Sequence, residues 1–293
     1  MLSVLSKRAI GFAMVATLGL GVLTGCGSSN QQGSPAPSQG GGAQELTGTV
    51  TASGSTALQP LVNQAAKDFM DKNPKVTVNV TGGGSGTGLK QVADGSVNIG
   101  NSDVAAGPEF KDANLKEHIV AIAPFAIVVN EGVTVDNLTK DQAAKIFEGQ
   151  IKNWKEVGGQ DAPITIVHRP ESSGSRKLVQ QIVLDGKEFT KEGVTQDSSG
   201  AVATAVKSTP NSIGYVDTPY LQQGIKAVKF DGVAFSKDNI KNGTYKLFGS
   251  ERMYTKGEPT GAVKAFLDFI LSNDFQNNRV EQLKFLPANL LQK

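Results

Sequence analysis

The stretch that most constrains this chain is residues 76–104, V-T-V-N-V-T-G-G-G-S-G-T-G-L-K-Q-V-A-D-G-S-V-N-I-G-N-S-D-V. Val76, Val78 and Val80 alternate with Thr77 and Asn79, the period of a half-buried strand. Gly82, Gly83, Gly84, Gly86 and Gly88 then form a turn whose backbone N–H groups can approach a ligand closely. The spacing predicts a helix next, with Leu89, Val92 and Ala93 on one face. Its free N–H groups and positive dipole end point back at the glycines, an arrangement that binds anions. A second short strand over 97–100 leads to Asp103, a carboxylate aimed at a site otherwise suited to negative charge. Neither nucleotide motif fits. Leu89 stands where a P-loop needs lysine, and no start within residues 82–88 gives the dinucleotide glycine spacing.

Residues 1–25 read as a targeting segment, with Lys7 and Arg8 before an apolar core over 9–23. That core is shorter than the ~20 residues a spanning helix needs. Cys26, the single cysteine, follows directly in L-T-G-C, which resembles the lipobox of bacterial lipoproteins and marks Cys26 for lipidation. Residues 26–44 form a flexible tether, since 27–44 carry no charge and no large apolar side chain. Chain statistics give that tether a reach of roughly 20–25 Å.

The folded part begins near Glu45. Of 29 basic residues, Lys7 and Arg8 leave with the targeting segment, so 27 face 27 acidic ones. With no basic run or aromatic-interleaved patch, nucleic acid is excluded as a partner. No His, Cys, Asp or Glu cluster has metal-ligand spacing, and no cofactor is expected. Anion binding would have to come from local geometry.

Two further strand–turn–helix junctions repeat the pattern. A strand over 47–51 runs into Ser53-Gly54-Ser55-Thr56-Ala57 and a helix to Asn73 that buries Leu58, Leu61, Val62, Ala65 and Phe69. A strand over 164–167 runs into His168-Arg169-Pro170-Glu171-Ser172-Ser173-Gly174-Ser175 and another helix. Arg169 offers a planar fork that matches two oxygens of a tetrahedral anion, and Glu171 stands close enough in sequence to steady it. The apolar run over 118–130 and the strand-like 245–255 are the expected crossings between two lobes, which implies a hinge. Trp154 is expected to pack in a core. A helix over 262–271 and a helical stretch ending near Leu283 close the chain.

Together these pieces describe a cleft of N–H groups, small hydroxyls and one arginine around an oxyanion. Asp103 then acts as a filter. A carboxylate only accepts hydrogen bonds, so it tolerates an anion that retains a proton and rejects one that has none.

G-S-T-A-L-Q-P, G-G-G-S-G-T-G-L-K-Q-V, N-I-G-N-S-D and R-x-E-S-S-G-S, with N-W-K-E-V-G-G, I-G-Y-V and Y-T-K-G, resemble the phosphate-binding lipoproteins of bacterial high-affinity phosphate ABC importers. The resemblance implies an α/β, two-lobe periplasmic-binding-protein fold of type II, with a hinge and an interlobe cleft. It places residues 46–128 plus 251–293 in lobe 1 and 129–250 in lobe 2. By position it implies phosphate contacts at Ser55, Thr56, the backbone of Ala57, Ser85, Asp103, Arg169, Ser173, Gly174 and Ser175, with Glu171 orienting the arginine. Ser175 stands where the family often has Thr, and Glu171 where some members have Asp. The implied protein is a monomer, exported and anchored by a lipid on Cys26, that captures inorganic phosphate and hands it to a membrane permease without chemistry.

Two other classes compete. A secreted serine hydrolase or phosphatase would need a nucleophile motif; around Ser85, Thr87 occupies the last glycine of G-x-S-x-G. A surface sensor or adhesin could share the fold without transport.

Overall fold

The computed structural model describes residues 45–291; the targeting segment, Cys26 and the whole tether lie outside them. Strand β1 (Gly48–Gly54) leads into helix α1 (Gln59–Lys72), β2 (Val76–Thr81) into α2 (Ser85–Asp94), and β3 (Ile99–Ser102) toward the long β4 (Leu115–Asn130). The middle of the chain holds β5 (Asn137–Leu138), α3 (Lys140–Phe147), β6 (Thr165–His168), α4 (Gly174–Ile182), β7 (Val194–Thr195), α5 (Ser199–Ser208), β8 (Ser212–Asp217), β9 (Ile225–Ala227), β10 (Lys229–Phe230) and α6 (Lys237–Lys241). β11 (Phe248–Lys256), α7 (Gly261–Leu271) and α8 (Asn273–Asn278) complete it.

The main sheet has the order β2-β1-β3-β11-β4-β8-β6-β7, with β9 also on β4. β1 pairs in parallel with β2 and β3, and β6 with β7 and β8; β11 and β4 run antiparallel to their neighbours. β4 is the element both sides share. Residues 115–124 pair with β11, and from Phe125 onward the strand pairs with β8. β11 answers it with a register shift between Glu251 and Arg252.

Each side has its own core. Val50, Leu58, Leu61, Phe69, Ile99, Met253, Phe266 and Phe275 pack on one side, with Phe69 stacked at a tilt on Phe266 and Phe269. Phe125, Ile127, Phe147, Trp154, Val179, Tyr215 and Leu247 pack on the other. Trp154 has no exposed surface and donates its indole N–H to the Asn211 carbonyl, so its role is packing. A third cluster, Val128, Val202, Val206 and Val216, seats α5 on the sheet.

Two elements depart from the sequence reading. The helix after Thr56 begins only at Gln59, because residues 55–58 first make a turn in which the Ser55 hydroxyl accepts the Leu58 N–H. The last regular helix stops at Asn278, and the chain reaches Leu283 through turns.

Candidate functional site

The ends of β1, β3, β6 and β8 converge, and each delivers polar residues at its carboxyl end: Ser55, Asp103, Arg169 and Asp217. Open α/β sheets place ligands at this edge. Ser55, Thr56, Ser85, Asp103, Arg169, Ser173, Ser175, Ser199 and Asp217 are all at most 5% exposed, which is exceptional for a set so polar.

From the first side come the turn after β1 and the N-terminus of α2. Ser85 opens α2 and its Oγ accepts the Asp103 N–H at 3.0 Å. Gly84, at φ 88°, gives the turn its left-handed step, and Gly86 donates its N–H to the Ser172 carbonyl of the other side at 2.9 Å. From the second side, Ser173 caps α4 by accepting the Arg176 N–H, and Gly174 starts the helix. A Cβ on Gly174 would lie 2.2 Å from Ser85 Oγ and 2.6 Å from Asp103 Oδ2. The two glycine-bearing turns are therefore in direct apposition.

Arg169 spans the join. Its Nη2 donates to Thr56 Oγ1 at 3.1 Å and to the Asp197 carbonyl at 3.3 Å, and its Nη1 to Ser199 Oγ at 3.0 Å. Nε is buried without a partner. Arg176 stacks on Phe189 and donates to the Arg169 carbonyl, which fixes the backbone behind the guanidinium. Tyr220 also ties the sides together by donating its hydroxyl to the Thr56 carbonyl.

The site contains three carboxyl groups. Asp103 Oδ2 accepts from Ser175 Oγ at 3.2 Å, while Oδ1 is buried without a partner. Asp217 Oδ2 lies 3.2 Å from the same Ser175 Oγ and 3.5 Å from Ser199 Oγ. Glu251, on β11, has no exposed surface and no partner for either oxygen. Burial, and then the charge of Asp103, push Asp217 up to about 7. The same two causes, with Asp217 added, hold Glu251 well above the ordinary range. A cleft of about 510 Å³ passes Asp103 between Lys177, Leu178, Phe248 and Arg252, but does not touch Arg169 or Ser175.

The structure brings Thr56, Ser85, Asp103, Arg169, Gly174 and Ser175 together from distant parts of the chain, with Ala57 buried beside Thr56. Ser55 is adjacent, with its Oγ engaged by Leu58 N–H, and Ser173 is engaged as a cap. Glu171 is different. It is exposed, and among the described residues it makes neither a hydrogen bond nor an ion pair with Arg169. Ser199, Thr56 and the Asp197 carbonyl orient the arginine instead.

Ser199 and Asp217 were not anticipated. The signal for Ser199 is Q-D-S-S-G-A at 196–201, which echoes E-S-S-G-S at 171–175 and likewise starts a helix, here capped by Ser198. Asp217 ends I-G-Y-V-D, a strand buried at every position, so no alternation marks it.

A strand-edge site built from helix N-termini, hydroxyls and one arginine, on a sheet whose sides share β4 and β11, defines a solute-binding protein of the periplasmic-binding class. The comparisons with known proteins agree. The PBP superfamily domain matches residues 37–274. The chain is 42% identical over 270 residues to the phosphate-binding protein PstS of Bacillus subtilis, covering 91% of this chain and 90% of that one. A crystal structure of an ABC transporter substrate-binding protein from Clostridium perfringens with bound phosphate superposes with a TM-score of 0.78 at 34% identity, covering 82% of this chain and 99% of that one. An ABC-type phosphate transport receptor from Vibrio cholerae gives 0.68 at 26% identity, over 81% and 99%. The chain belongs to the PBP superfamily, within its group of phosphate-transport binding proteins, and has their type II fold.

Proposed function

We propose that this protein captures inorganic phosphate between its two lobes and delivers it to the permease of an ABC importer, without catalysing a reaction. The observation that carries the reading is Asp103: a buried carboxylate with a free oxygen, placed among donors that would otherwise accept any oxyanion. Arg169, the hydroxyls of Thr56, Ser85 and Ser173, and the N–H groups at the starts of α2 and α4, that of Ser175 among them, supply donors. Asp103 Oδ1 takes the ligand's own proton. Phosphate keeps at least one proton near neutral pH and sulfate keeps none, so sulfate would face an acceptor with an acceptor.

The lobes divide at β4 and β11, with residues 46–128 and 251–293 on one side and 129–250 on the other; the change of partner at Phe125 supports this division. Hydrogen bonds from both sides favour the closed arrangement, a population shift driven by ligand contacts that the permease reads. Among the described residues no helix is long and apolar enough to cross a membrane. In this reading the exported monomer is held at the membrane by a lipid on Cys26. Ser55 is assigned with the phosphate-binding residues as the brace of the Thr56 turn.

Calorimetric titration of residues 43–293, stripped of bound anion, tests this. Tight binding of phosphate with no response to sulfate is expected, and Asp103→Asn, which can donate, should gain sulfate binding. Equal affinity for both anions in the wild type would remove the filter from Asp103, and binding of neither would refute phosphate capture.

A further inference from the structure

Ser175 Oγ stands 3.2 Å from Asp103 Oδ2 and 3.2 Å from Asp217 Oδ2. A serine hydroxyl has one proton, so it cannot donate to two carboxylates at once. Either one contact is an acceptor facing an acceptor in a buried site, or one of the carboxyls carries a proton. Ser199 adds a constraint. Its Oγ receives Arg169 Nη1–H, which leaves its own proton for Asp217 Oδ2 or Thr56 Oγ1. Asp217 is fully buried at the end of β8, and its Oδ1 has no partner.

We propose that Asp217 sets the charge of this site: it takes up a proton from solvent when the site closes on phosphate and stays the neutral acid in the complex. This rests on the phosphate reading of the site. The proton sits on Asp217 Oδ2 and is donated to Ser175 Oγ, which donates its own to Asp103 Oδ2. No bond other than this O–H is made or broken.

The charge balance favours that arrangement. The charged and titratable groups that face Asp217 are Asp103 after β3, Arg169 after β6, Glu251 on β11 and Tyr220 after β8. Arg252, beside Glu251, is already paired with Glu117. With all three carboxyls ionised, Arg169 alone would oppose three negative charges, and the site would repel an anion. With Asp217 and Glu251 neutral, Asp103 and Arg169 cancel and the helix N-termini decide the field. Burial and the neighbouring charge of Asp103 raise Asp217 in the direction this requires. Asp103 thus reads the proton on the ligand, and Asp217 keeps the surroundings from cancelling the attraction.

The test is phosphate affinity of wild type and Asp217→Asn from pH 6 to pH 9, with calorimetry in buffers of different ionisation enthalpy to count protons. Phosphate's own ionisation is common to both proteins, so the difference reports Asp217. Above neutrality the wild type should lose affinity faster than the variant, by up to about tenfold per pH unit, and should take up more protons per phosphate at pH 8. Parallel pH profiles with equal proton counts would overturn the role of Asp217 while leaving phosphate capture intact. Absence of phosphate binding by the wild type at every pH would overturn both. Should Asp217→Asn not fold, the carboxyl carbon of Asp217 in the wild-type phosphate complex, titrated by NMR, decides the matter. A midpoint at or above neutral pH supports the proposal, and one in the ordinary carboxylate range overturns it.

Discussion

Glu251 has no exposed surface, and neither of its carboxyl oxygens meets a donor. Burial and then the charges of Asp103 and Asp217 raise its pKa, so the native protein holds a proton that the unfolded chain releases. The sign follows from linkage. Below the unfolded pKa both states are protonated and the native state bears no penalty. Between the unfolded and native-state pKa values the unfolded chain gains relative stability as pH rises, at up to about 1.4 kcal/mol per pH unit, and above the native-state value the loss is complete. Glu251→Gln keeps the shape and cannot ionise. Its stability relative to wild type, measured by urea unfolding without phosphate, should rise between pH 5 and pH 8. A difference that does not change with pH would mean that Glu251 is ionised in the native protein. His168 shows the opposite case. Burial lowers its pKa, and one ring nitrogen pairs with the Glu192 carbonyl, so it serves as a neutral structural group.

At the scale of elements, Ser55 separates bracing from binding. Its hydroxyl accepts the Leu58 N–H at 3.0 Å and is 1% exposed, which ties the end of β1 to the start of α1. Ser55→Ala should cost ~1 kcal/mol of unfolding free energy in the absence of phosphate, the usual value of such a cap. Urea midpoints that do not move would leave ligand contact as the sole role of Ser55. Elements of this kind were legible because glycine, hydroxyl and apolar period coincide in sequence: β2 with α2, β6 with α4, and β4 as the long crossing strand. Most of the stretch between Ile182 and Tyr245 was not. β8 is buried at every residue and so shows no alternation, and α5 is a run of Ala and Val whose helical face is faint. The contacts of Arg169 were hidden for the same reason, since Ser199 and Asp197 belong to that unread region while Glu171 was simply nearby in the chain.

For the whole molecule, closure depends on how near the two sides come, and that distance is set at Gly174. Its φ is not in the left-handed range, so alanine suits the backbone and the start of a helix. What alanine cannot do is fit. The added methyl would meet Ser85 Oγ at 2.2 Å and Asp103 Oδ2 at 2.6 Å, both on the opposite side of the join. Neither can yield cheaply, because Ser85 Oγ holds the Asp103 N–H and Asp103 Oδ2 holds Ser175. The clash lies between residues of opposite sides, so the strain falls chiefly on the closed arrangement. Overpacking of this size costs about 1–3 kcal/mol, or roughly 5- to 150-fold in phosphate affinity. Small-angle scattering should show the wild type contracting when phosphate is added and Gly174→Ala remaining expanded at the same concentration. Their unfolding temperatures without phosphate should differ little. A variant that contracts and binds as the wild type does would show that the sides need not approach this closely to hold the anion.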